Sequence, residues 1–158
     1  MSVAKELPKS ASLLAACSLS RAQPGGCAWC GDPLPPRRRT WCSDRCGEAF
    51  WNNHWWSQAR AAAKRRDKYR CRQCGHVPPK RPSRVRFPSE PAYKTAMRAW
   101  RRGKPENRVE VNHRVPALGA HGALSCIHHL DNLETLCVAC HKTFTSATRP
   151  RRAGIAQT

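Results

Sequence analysis

The sequence predicts a small α+β fold held by zinc: a four-cysteine knuckle with a helix, followed by a second zinc-bearing domain. Three observations predict it. Eight of the ten cysteines fall into close pairs, 27/30, 42/46, 71/74 and 137/140. Helical periodicity follows the first two pairs, where Phe50, Trp51, Trp55, Ala59 and Ala62 share one face. A short segment with alternating Val109 and Val111, bounded by Pro116, reads as a strand. The 158 residues suit one ordinary domain or two very small ones. In the latter case each core is too small to fold readily unaided.

The elements follow in chain order. Residues 1–23 read as a weakly ordered leader with a short helix near 11–19. Residues 24–68 form a knuckle and a Trp-rich helix. Pro24-Gly25-Gly26 is a turn, Cys27–Cys30 a knuckle, 33–40 a Pro-rich basic loop, and 47–69 one continuous helix. Residues 69–146 form the second domain, opened by the knuckle "CRQCG" at 71–75. A basic, Pro-rich insert spans 76–108. It holds a helix near 90–102, with Ser89 as N-cap, Pro91 in the first turn, and Tyr93, Met97 and Trp100 on one face. A strand at 108–114 and a Gly-containing loop at 116–127 lead to the knuckle "CVAC", and a helix runs from His141 to about Ser146. The tail 147–158 reads as disordered and basic.

Paired cysteines suit tetrahedral coordination, because a Cys-x-x-Cys turn presents two thiolates to one ion and a second pair closes the site. Two structural Zn²⁺ ions are therefore expected. Cys27, Cys30, Cys42 and Cys46 hold one, and Cys71, Cys74, Cys137 and Cys140 the other. The competing arrangement joins 42/46 to 71/74 and leaves 27/30 for 137/140. Reduced cysteine without metal is the plainer alternative for each pair. Cys17 reads as a free thiol in the leader, and Cys126 as a packed loop residue rather than a ligand.

Charge points to a polyanionic partner. Lysine and arginine number 29 against 10 acidic residues, a formal charge of +19. Acids are too few to neutralise the basic clusters, so nucleic acid is the leading partner and an anionic membrane the rival. Arg81, Arg84, Arg86, Arg98, Arg101 and Arg102, in the insert, are the candidate contacts, with no base code among them. Trp51, Trp55 and Trp56 serve either packing or base stacking. No apolar run approaches a membrane span, and Leu13–Cys17 is too short for a signal peptide, so no membrane is expected.

Residues 126–145, "CIHHLDNLETLCVACHKTFT", follow "EVNHRVP" and the Cys71/Cys74 knuckle. Together they resemble the HNH endonuclease family in its zinc-stapled form, over about residues 69–146. The segment "CAWCG…RRRTWCSDRC" with "FWNNHWW" more weakly resembles a zinc-knuckle extension that precedes some members. The resemblance implies a treble-clef-like ββα-metal fold, a hairpin and a helix clasping one divalent cation, Mg²⁺, Mn²⁺ or Ni²⁺. It implies hydrolysis of double-stranded DNA in a bacterial or phage cytoplasm. Carried over by position, His113 is the general base, Asn132 braces the loop and orients that histidine, and His141 is a metal ligand. Asn112 stands where many members have a metal-binding Asp.

The chemistry fits these residue types. An imidazole can take the proton of an attacking water near neutral pH. A cation on His141 and the Asn112 amide oxygen supplies a Lewis acid, though a neutral amide binds Mg²⁺ weakly. The alternative function is a nucleic-acid-binding module that keeps the fold without cutting. Asp131 is read as a loop residue, and His128 and His129 as solvated or DNA-facing. His54, His76 and His121 carry no spacing signal. Thr145 lies where some relatives, such as the colicin nucleases, have a further histidine, and is read as a plain surface hydroxyl.

Overall fold

The computed structural model describes residues 13–103, 108–116 and 122–148. They fall into two compact units, one drawn from 1–63 and 117–133, the other from 64–116 and 134–158. The expectations for 1–12 and for the tail beyond 148 lie outside the described residues.

In the first unit, a helical turn at 13–15 precedes the first knuckle. The knuckle turn closes through Cys27 N–H to Asp32 O (2.7 Å) and Gly31 N–H to Cys27 O (2.9 Å). Gly31 sits at φ +83°, and a Cβ there would lie 2.4 Å from Arg21 O, so only glycine fits. Helix α1, Asp44–His54, starts at Ser43, whose hydroxyl accepts the Cys46 N–H. Its inward side centres on Phe50, fully buried among Trp29, Trp41, Trp51 and His54. That aromatic cluster is the unit's core.

The single helix expected over 47–69 is two. Trp55 leaves helical geometry at φ −93° and ψ 114°, and α2 runs Trp56–Arg66. Tertiary pairing causes the break. Trp55 forms an antiparallel bridge with Leu124, and Trp56 N–H donates to Ala123 O at 2.8 Å. Tryptophan and alanine carry no breaker signal, so periodicity alone could not locate it.

In the second unit, Lys68 and Tyr69 take left-handed φ values of 54° and end α2's path. The second knuckle repeats the first: Cys71 N–H donates to His76 O (2.8 Å), Gly75 N–H to Cys71 O (3.0 Å), and Gly75 sits at φ +76°. Helix α3, Glu90–Arg102, has the expected Ser89 cap and buries Met97. Strands β1 (Val109–His113) and β2 (Leu133–Cys137) form a two-stranded sheet. Helix α4, Val138–Thr148, follows β2 directly, starts three residues before the expected His141, and packs on β1. The buried Asp67 carboxylate accepts from Thr135 N–H and from Arg66, joining the start of this unit to β2. No helix among the described residues is long and apolar enough to cross a membrane.

Candidate functional site

Each predicted four-cysteine set converges. The Sγ atoms of Cys27, Cys30, Cys42 and Cys46 lie within 4.8 Å of one another, as do those of Cys71, Cys74, Cys137 and Cys140. Cys30 and Cys46 each lie 3.5 Å from Cys42, and Cys74 lies 3.7 Å from Cys137. Both clusters could hold a metal ion, and four thiolates suit zinc. The competing arrangement, 42/46 with 71/74, is not the one formed. The first cysteine of each knuckle is prepared as a thiolate. Burial pushes the Cys27 thiol up, but N–H groups of Cys30, Cys42 and Trp29 outweigh it and bring it down to about 6. Cys71 reaches about 6 in the same way, with burial opposed by the N–H groups of Cys74, Cys137 and Gln73.

A third cluster was not expected. Cys17, His54, Cys126 and His129 also place one ligand atom each within 4.8 Å of the others, and could hold a metal ion. Three sequence readings change here. Cys17 is a free thiol but does not lie in a loose leader: it is 7% exposed and contacts two histidines. Cys126 is part of the cluster rather than loop packing. His54, fully buried at the end of α1, has partners that spacing could not show. His128 and His129 are not solvated. Both are buried, with His128 Nε2 bonded to Gly122 O at 3.1 Å and its ring beside Trp56. A weak signal did exist: Cys126 and His129 have the same i, i+3 spacing as the knuckles. Burial lowers the pKa of both His54 and His129, and it pushes the Cys126 thiol up to about 11, with Cys17 adding to the rise.

The predicted catalytic residues lie on β1, on α4 and in the 3-10 turn before β2. Alternation puts Glu110 and Asn112 on one face of β1, and Val111 and His113 on the other. Asn112 is buried, and its amide Nδ2 donates to Glu134 Oε1 on β2 at 3.3 Å. His141, in the first turn of α4, places Nδ1 2.8 Å from Glu110 Oε2. A carboxylate only accepts, so that nitrogen carries a proton, which in the neutral ring puts the lone pair on Nε2. His113, half-buried, ends β1. Asn132 belongs to the first unit, where Nδ2 donates to Ile127 O at 3.0 Å and braces the loop. Glu110 and Glu134 were missed from sequence. Glu110 precedes Asn112 by two positions on the same strand face, which is the signal that could have found it.

The predicted DNA-facing arginines are exposed. Arg98, Arg101 and Arg102 lie at i, i+3 and i+4 on α3 and are exposed, whereas Met97 is buried. Arg84 is engaged by Glu90 (2.8 Å) and Phe87 O (2.9 Å). Trp51 packs on Phe50 and Trp55, and Trp56 lies beneath Arg60. Trp51 and Trp56 are half-buried in these contacts, and Trp55 stays 38% exposed. Compared with known proteins, the chain matches no family model, no curated protein and no solved structure.

Proposed function

We propose that this chain is a metal-dependent endonuclease of the HNH type, hydrolysing phosphodiester bonds in double-stranded DNA. One observation carries the reading: a strand ending in Asn112-His113 lies under a helix whose His141 is oriented by Glu110 of that strand, at 2.8 Å. A histidine held by a carboxylate through Nδ1 has Nε2 set for a metal, the usual outer-shell arrangement around ligating imidazole. The donor set fits a divalent cation: His141 and the Asn112 amide oxygen would hold it, with substrate phosphate filling much of the coordination. When bound, the ion supplies Lewis-acid stabilisation of the phosphate and leaving oxygen.

The protein's own groups do the rest. His113 takes the proton of the attacking water. Glu110 is a positioning residue that fixes the His141 ring and tautomer. Glu134 holds the Asn112 amide nitrogen and so fixes which way its oxygen turns. Asn132 braces the loop before β2. The exposed arginines of the insert and α3 neutralise phosphates, which makes binding salt-dependent and sequence-independent.

Plasmid nicking with Mg²⁺, Mn²⁺ or Ni²⁺, by wild type and His113→Ala, tests this. Metal-dependent nicking by wild type alone is expected. Equal nicking by both would remove His113 from the chemistry. A second reading, a binding module that does not cut, is favoured by Asn112, whose neutral amide replaces a ligating carboxylate. Salt-sensitive DNA binding with no nicking under any metal would establish it.

A further inference from the structure

We propose that Cys17, His54, Cys126 and His129 form a third, Cys₂His₂ zinc site. It is independent of the nuclease reading, since none of the four serves that chemistry.

The distances fit one ion at the centre. Cys17 Sγ lies 3.2 Å from His54 Nε2 and 3.5 Å from His129 Nε2, and the two Nε2 atoms are 3.1 Å apart. Tetrahedral zinc with Zn–S about 2.3 Å and Zn–N about 2.0–2.1 Å gives edges of roughly 3.6 Å for S···N and 3.3 Å for N···N. The observed edges lie a little inside those values. The four-cysteine clusters behave alike: their Sγ···Sγ edges are 3.5–3.7 Å, against about 3.8 Å for a tetrathiolate ion.

Proton bookkeeping supports the ion over a hydrogen-bond network. Phe50 O lies 2.8 Å from His54 Nδ1, and a carbonyl can only accept, so His54 is protonated at Nδ1. Its Nε2 therefore offers one lone pair, yet both the Cys17 thiol and the His129 ring close on it. One lone pair cannot serve two close partners well in a site where His54 is 0% and His129 8% exposed. A cation takes the lone pairs of all four groups at once. The Phe50 carbonyl then acts as the outer-shell acceptor that orients a ligating histidine. Two thiolates and two imidazoles select zinc over Mg²⁺ or Ca²⁺. Four protein ligands leave no open position, so the site is structural.

The ion would join segments that are far apart in sequence. Cys17 brings in the residues before the first knuckle, and His54 the end of α1. Cys126 and His129 bring the 3-10 turns at 126–132, which are already tied to α1 by Ser125 N–H to His54 O (2.9 Å) and Leu130 N–H to Asn53 Oδ1 (3.0 Å). The same turns carry Asn132.

The test is metal counting on the full chain. Native mass spectrometry of protein purified without chelator is expected to show three zinc ions. Cobalt substitution should give two absorption components, one of tetrathiolate type and one shifted to higher energy by imidazole. The Cys17→Ser/Cys126→Ser double variant should hold two ions and lose only the shifted component. Two zinc ions in wild type with a purely tetrathiolate cobalt spectrum would overturn the proposal, as would a mass revealing a Cys17–Cys126 disulfide. Should the double variant not fold, the wild-type count and spectrum still decide.

Discussion

Glu110 and Asn112 differ in what they contribute to the same face of β1. Glu110 bonds His141 at 2.8 Å, while Asn112 carries no charge and is held by Glu134. Outer-shell partners of ligating histidines typically matter about 10–100-fold in metal affinity or activity. On the proposed nuclease reading, Glu110→Ala should therefore weaken activation by Mn²⁺ by about that factor, read as a rise in the metal concentration for half-maximal nicking. Asn112→Asp should act in the opposite direction, because a carboxylate is the harder and charged ligand. If half-activation is unmoved by either change, the cation is not held here. Asp67 gives a separate prediction. Burial pushes its carboxyl up, but Arg66 and the Thr135 N–H outweigh this and hold it below the ordinary range. Its side chain is 2% exposed, so Asp67→Asn should cost about 1–3 kcal/mol by urea unfolding. A lowered folded pKa gives stability that is complete above the unfolded value of about 3.9 and lost only as pH falls through the folded value. The wild-type-minus-variant difference should therefore be flat between about pH 7 and 5, well above that value. A steep slope there would assign the effect to other groups.

The two knuckles are the elements most open to direct comparison. "CAWCG" and "CRQCG" share their backbone bonds and a glycine at positive φ, 83° at Gly31 and 76° at Gly75. Their surroundings differ. A Cβ on Gly75 meets nothing within 4 Å, whereas one on Gly31 would press on Arg21 O. Gly75→Ala should cost about 1–2 kcal/mol, the price of left-handed backbone for a residue with a Cβ. Gly31→Ala should cost clearly more, because backbone must also move. Thermal melts of the zinc-loaded variants check this, and equal losses would show that the two turns are not held alike. Both knuckles were legible because i, i+3 spacing and the glycine after it are local. The Ser89 cap and the Tyr93–Met97–Trp100 face of α3 were legible for the same reason. The break at Trp55 was not, since the residues that cause it, Ala123 and Leu124, are remote in sequence.

At the scale of the molecule, the described residues hold three clusters that could each bind a metal ion, and Phe50 is the largest fully buried side chain among them. Structural zinc can contribute an apparent ~10–16 kcal/mol near neutral pH, comparable to the whole net stability of a domain at ~5–15 kcal/mol. Strong chelation should therefore unfold the protein. Red-shifted tryptophan emission from Trp29 and Trp41, which pack around or beside Phe50, would report it. Emission unchanged after complete metal removal would show that the aromatic core stands by itself. The amino-acid sequence alone determined the small α+β class, the four close cysteine pairs, the strand carrying Asn112 and His113, and the excess of positive charge. Each is written in short-range spacing or in composition. Only the tertiary structure decided that residues 122–133 group with 13–63, that Glu110 lies against His141, and that Cys17 meets His54 and His129 across 37 and 112 positions. Isolated residues carry no periodicity. Their partnership comes into being when burial forces their polar atoms to find one another.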